Sequence, residues 1–197
     1  MAIGIIIFDG PDGVGKTTLI NHIKKANPNA YYMHLRVHKN MKLWHLATAR
    51  LASRKKAEGK LVLLDRHWPS EQCYSYIYRS GPSYNPKKIY EFLRNRGALY
   101  VWCIPEDTQR VKDNHRINRE KRHEEYHDID DVVNYYYQHW FGKPERSNFL
   151  SSISPLRERD NFVRYDMFKD GHKLDEFTDK IIERSMMFSY ERYKFKI

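Results

Sequence analysis

The chain has 197 residues, 41% hydrophobic and 30% charged, which suits one domain with a sizeable core and excludes a disordered chain. No apolar run nears the roughly 18 residues of a membrane span, no signal-peptide layout is present, and Cys73 and Cys103 lack metal spacing, so a reduced, cytoplasmic protein is expected. Thirty-five Lys and Arg against 25 Asp and Glu give a net charge of +10, which implies polyanionic company: nucleotides, nucleic acid, or both. Charge spread over a surface also serves solubility, so nucleic acid is the less favoured of the two.

Ile3 to Phe8 is a short, β-branched apolar run and predicts a buried parallel strand. It leads into Gly10-Pro11-Asp12-Gly13-Val14-Gly15-Lys16-Thr17-Thr18, which fills every fixed position of the phosphate-binding pattern G-x-x-x-x-G-K-[ST]. Leu19 to Lys25 follows at helical spacing. Strand, loop and helix in that order let backbone N–H groups and a helix N-terminus converge on an anion. Lys16 is expected to reach the β- and γ-phosphates of ATP, and the Thr17 hydroxyl to ligate Mg²⁺.

After a turn at Asn27-Pro28-Asn29, Tyr31 to Leu35 predicts a second strand ending at Arg36. Met41 to Glu58 reads as an amphipathic helix closed by Gly59, and Leu61 to Leu64 as a third strand running into Asp65-Arg66-His67. Trp68 to Arg79 is a helical, aromatic stretch, followed by a break at residues 80–83 and a helix over Pro86 to Arg96. Ala98 to Ile104 predicts a fourth strand and Pro105 to Asn118 a helix. Arg116 to His127 is densely charged without an apolar face and reads as a mobile, solvated lid, at about 114–128. Ile129 to Phe141 returns to helical spacing, Gly142 to Pro155 reads as a polar loop, Phe162 to Asp166 as a fifth strand and Leu174 to Tyr193 as a terminal helix. Strands alternating with helices predict a three-layer α/β P-loop NTPase fold in a single domain, its parallel sheet of about five strands binding ligands at the strands' carboxyl ends.

The P-loop, Arg36, Asp65 and Arg66 all fall at that edge. Asp65 at a strand end can hold the Mg²⁺ hydration shell, or cap the next helix; the planar guanidinium of Arg66 suits a phosphate. Arg116, Arg119 and Arg122 recur every three residues, so in a helix they share one side and could neutralise a transferring phosphoryl group. His123-Glu124-Glu125-Tyr126-His127 matches the zinc-protease pattern H-E-x-x-H, but in charged surroundings and without a third histidine, which favours Glu–Arg pairing in the lid.

These residues resemble the thymidylate kinase branch of the P-loop nucleoside monophosphate kinases. The resemblance rests on the Gly10 to Thr18 loop with Asp12, on Asp65-Arg66-His67-Trp68-Pro69-Ser70, on Cys73-Tyr74, and on the arginine-rich lid. It spans most of the chain and implies transfer of the ATP γ-phosphate to a deoxynucleoside monophosphate in a cytoplasmic enzyme, the chain resembling a divergent member, with a viral one among the options. It also implies residue roles. Asp12 resembles the acid that contacts the acceptor sugar, Arg36 and Arg66 the pair on the acceptor phosphate, Asp65 the magnesium-side acid, and Ser70 and Tyr74 pocket residues. A homodimer through the Met41 to Glu58 helix is implied in the same way. The family pattern has alanine and glutamine where this chain has Cys73 and Ser75.

Two alternatives stay open. Gly10-Pro11-x-Gly13, Asp65-Arg66-His67 and Arg119-x-x-Arg122-x-Glu124-Glu125 also resemble the deoxynucleoside kinases, which phosphorylate a 5′-hydroxyl. A hydroxyl acceptor needs a general base, yet His34-Leu35-Arg36-Val37-His38 contains no acid, and this favours a monophosphate. The net charge keeps a nucleic-acid-binding P-loop protein or DNA kinase as the third reading.

Overall fold

The computed structural model describes residues 3–122, 129–140 and 161–194; for 118–122, 139–140 and 190–194 only the backbone is described. The elements run β1 (Gly4–Asp9), α1 (Lys16–Ala26), β2 (Tyr31–His34), α2 (Met41–Ala57), β3 (Leu61–Asp65), α3 (Trp68–Tyr78) and α4 (Lys87–Arg94). They continue with β4 (Ala98–Cys103), α5 (Thr108–Arg122), α6 (Ile129–Trp140), β5 (Phe162–Tyr165), a 3₁₀ turn (Gly171–Lys173) and α7 (Leu174–Lys194). The sheet is parallel, in the order β2-β3-β1-β4-β5. Helices cover both faces, and this is the α/β P-loop fold the alternating pattern predicts.

The sheet's centre is apolar because β1, β3 and β4 are buried along their whole length. Side chains alternate across the pleat. Ile5 and Ile7 pack with Val62, Leu64, Trp68 and residues of α2, α4 and α6; Ile6 and Phe8 pack with Leu63, Val101 and residues of α1, α5 and α7. The edge strand β2 is only half-buried. Burying each fully enclosed Ile or Leu contributes roughly 1.5–3 kcal/mol before the entropy of ordering the chain is subtracted.

Element ends shift by a few residues for local reasons. α1 starts at Lys16 rather than Leu19, so the end of the phosphate loop is already the helix's first turn, with Gly15 left-handed at its N-cap (φ 78°). α5 begins at Thr108 rather than Pro105, since the Asp107 carboxylate accepts from the Arg110 N–H at 2.9 Å. α5 also runs past the expected end at Asn118, continuing to Arg122 through the first part of the charged segment, where Arg116 and Ile117 are exposed. Its partner is the start of α6, where Asp130 lies 3.5 Å from Lys112 and 3.6 Å from Arg116. The expected loop over Gly142 to Pro155, the rest of the lid, and the H-E-x-x-H run lie outside the described residues.

Candidate active site

The site is built where β1 and β3 end side by side. β1 delivers Asp9 and then the phosphate loop. Gly10 must be glycine there: its φ is 145°, and a Cβ would sit 2.2 Å from the Cys103 carbonyl oxygen. The loop is braced from α5, where the Asn114 side chain donates to the Gly13 carbonyl at 2.7 Å. The Lys16 ammonium is buried and donates to the Gly10 carbonyl at 2.9 Å and to that of Pro11. Burial, then repulsion from Arg66, lowers the Lys16 pKa, while Asp12, Cys103 and Asp65 act the other way. Thr17 and Thr18 are exposed in the first turn of α1, and Val14 is a core residue.

Asp9 organises the floor of the site, and sequence reasoning missed it. It is 1% exposed. Its Oδ1 accepts from the Gly10 N–H (2.9 Å), the Ser70 hydroxyl (2.7 Å) and the Tyr136 hydroxyl (2.6 Å). Its Oδ2 accepts from the backbone N–H groups of His67 and Ser70, both at 3.2 Å. One carboxylate therefore caps the N-terminus of α3 and holds the first peptide of the phosphate loop. Burial raises the Asp9 pKa, opposed by the Tyr136 hydrogen bond and by Arg66.

Arg66, between these fixed points, has a left-handed backbone (φ 68°), a conformation that costs a non-glycine residue on the order of 1–3 kcal/mol. Its N–H bonds to the Phe8 carbonyl at 2.9 Å. Its guanidinium donates to Ser70 Oγ at 3.1 Å, forms an ion pair with Asp12, and lies 5.1 Å from the Tyr74 ring centre. The Tyr74 hydroxyl donates to the other Asp12 oxygen at 3.0 Å. Burial alone would raise the Asp12 pKa, but Arg66 foremost, then Lys16 and Tyr74, pull it down to about 2.

A cleft of about 1000 Å³ opens beside this cluster. Asp12, Arg36, Arg66, Ser70 and Tyr74 all line it, so five residues singled out from sequence share one wall system. Ser70 spends its hydroxyl on Asp9 and Arg66, which makes its contribution one of positioning. Leu35, Val37, Met41 and Tyr78 make the far part apolar and aromatic. Glu71, 4% exposed, also lines it, its carboxylate bonded to the Ser75 hydroxyl at 2.6 Å and to Arg79 at 2.7 Å. His45 and His67 complete the floor with ring centres 4.6 Å apart. Burial pushes the His45 pKa down to about 4 and that of His67 well below the usual range.

Asp65 stands at the end of β3 with one oxygen, Oδ2, 3.0 Å from the Tyr32 hydroxyl and 2.9 Å from His34 Nδ1. Its Oδ1 is buried without a hydrogen-bond partner among the described residues. Those residues contain no group of three or more His, Cys, Asp or Glu able to hold a metal. A magnesium ion bound by a hydroxyl, phosphate oxygens and water needs no such cage, and Thr17 with the unpartnered Asp65 oxygen supplies donors of the type such an ion takes. Of the lid arginines, Arg116 is half-exposed, its guanidinium 3.6 Å from both Asp113 and Asp130. The Arg119 and Arg122 side chains lie outside the described residues.

No family model matches the chain, and no curated protein matches it. Among solved structures it is similar to the YorR protein of Bacillus subtilis in complex with phosphorylated GDP, with a TM-score of 0.58, 18% identity, and coverage of 90% of this chain and 93% of that one. It is also similar to a gluconokinase from Sinorhizobium meliloti, with a TM-score of 0.54, 12% identity, and coverage of 100% and 99%. At these identities the likeness carries the fold, and the chemistry rests on the site itself.

Proposed function

We propose that the chain is a kinase that transfers the γ-phosphate of ATP to a deoxynucleoside monophosphate, in the manner of a thymidylate kinase. The observation that carries this reading is the shared cleft of Arg36 and Arg66 beside the phosphate loop. A monophosphate acceptor is already an anion, and its approach to ATP is opposed by charge. Two guanidinium groups at the mouth, with Lys16 behind them, offset that repulsion. Phosphoryl transfer then depends mainly on alignment and charge neutralisation, which a rigid loop braced by Asp9 and Asn114 supplies.

In this reading the backbone of Gly10, Gly13, Val14 and Gly15, with Lys16 and Thr18, binds the ATP phosphates. Thr17 and Asp65 hold Mg²⁺, which when bound screens the phosphate oxygens. Arg36 and Arg66 take the acceptor phosphate, Tyr74 and Asp12 the sugar side, and the apolar far wall the base. Arg116, Arg119 and Arg122 form the lid side.

A hydroxyl acceptor would need a free carboxylate at the mouth. Asp12 is the carboxylate there, and with its pKa drawn to about 2 and Arg66 against it, it makes a poor base. Glu71 is tied to Arg79. The test is calorimetric titration of the full chain with each deoxynucleoside monophosphate and its parent nucleoside. The monophosphate is expected to bind at least tenfold more tightly; equal affinity would overturn the reading.

A further inference from the structure

The positive charge of this chain is not spread over its surface. Residues 36–60 hold eight lysines and arginines and one acid, Glu58; residues 79–97 hold five and one acid, Glu91. The excess in those two stretches is larger than the net +10 of the whole chain. Arg36 and Arg79 of these stretches line the cleft, and the fold brings most of the others together: α2 and α4 pack side by side on one face of the sheet, and the Lys56 ammonium donates to the Arg96 carbonyl at 2.5 Å. On the opposite face, α7 carries five acidic and four basic residues. Lys42, Arg50, Arg54, Lys87 and Lys88 are exposed on the basic side. α2 alone is about 26 Å long, so the cations form a strip starting beside the cleft, where Met41 and His45 stand, and ending at the far edge of the sheet.

We propose that this α2–α4 face binds a nucleic acid strand through its phosphate backbone. The proposal rests on charge placement and not on the phosphotransfer reading. Cations spaced along a helix match a linear polyanion better than a small ligand. At the cleft end Trp44, 37% exposed, stacks on His38 with ring centres 5.3 Å apart, a surface on which an unpaired base can stack. An anionic membrane is the weaker match, because the apolar side of α2 (Met41, Ala49, Ala52) is buried in the core and is not free to enter lipid. A homodimer through α2 would set this strip against its own copy.

The test uses fluorescence anisotropy of the full chain with a labelled single strand of about 20 nucleotides and with the matching duplex, at about 50 and about 200 mM salt. For about four phosphates neutralised, the single-strand affinity is expected to fall roughly 50-fold over that range. Lys42→Glu with Arg50→Glu should weaken binding more than tenfold and flatten the salt dependence. Lys25→Glu with Lys180→Glu, the same charge change on the α1–α7 face, should stay within about threefold of the parent. Lys42→Gln with Arg50→Gln serves if the charge reversal does not fold. No saturable binding of either oligonucleotide at the lower salt, equal weakening by both double variants, or binding to phosphatidylserine vesicles in place of oligonucleotides would overturn the proposal.

Discussion

Arg66 and Asp12 form an ion pair that joins the end of β3 to the phosphate loop. The pair is held on both sides: Arg66 by Ser70 and a strained backbone pinned to Phe8, Asp12 by the Tyr74 hydroxyl. Asp12 is 51% exposed, so solvent screens the pair and its contribution to stability is small. Its value lies in orientation. Under the proposed function, an acceptor phosphate would share Arg66 with Asp12 rather than meet a free guanidinium.

Arg66→Ala is expected to raise the KM for the monophosphate by about tenfold to a hundredfold while changing the KM for ATP by less than about threefold. Steady-state kinetics with each substrate varied in turn checks this. Equal effects on both would place Arg66 on the donor side.

Lys16→Ala should reduce kcat by about 10³ or more, and, by leaving the buried Gly10 and Pro11 carbonyls without their donor, cost roughly 1–3 kcal/mol without unfolding the chain. Circular dichroism and a turnover assay on the same sample separate the two effects.

Tyr136→Phe removes the 2.6 Å hydrogen bond to buried Asp9 and should cost roughly 1–3 kcal/mol, read from denaturant midpoints. Asp9→Ala is expected to cost more, because it strands the Ser70 and Tyr136 hydroxyls and the N-terminus of α3 together.

Acid should destabilise the fold through the histidines under the cleft. His45 is neutral and 1% exposed, with its pKa lowered to about 4 from an ordinary 6.5. The unfolded chain takes up this proton first, so stability is full above about 6.5 and falls as pH drops towards about 4, by on the order of 3 kcal/mol for this group. His67 extends the same trend to lower pH. Asp12 acts only further down, between its ordinary value of 3.8 and about 2. Melting temperature against pH checks the window, and His45→Leu should flatten it.

Much of this was legible because it is local. The glycine spacing of the phosphate loop, the apolar strands and the position of Arg36, Asp65 and Arg66 at strand ends are written in short stretches, and the sheet order sets them on one edge. What escaped depends on residues distant in the chain. Asp9 looks like the end of an apolar strand until Tyr136, more than a hundred positions away, donates to it. Asn114 reads as an ordinary helix residue, yet it reaches back to Gly13. The contact of Arg116 with Asp130 is likewise invisible in sequence, because Asp130 sits on the next helix. The one local signal for Asp9 was a carboxylate directly before the loop's first glycine.

The central claim is that the acceptor carries a phosphate. A coupled kinase assay with ATP and Mg²⁺, run over the deoxynucleosides and their monophosphates in parallel, tests it most directly. The account predicts diphosphate formation from at least one monophosphate and no product from the parent nucleosides. Phosphorylation of a nucleoside hydroxyl, with all monophosphates inert, would contradict it.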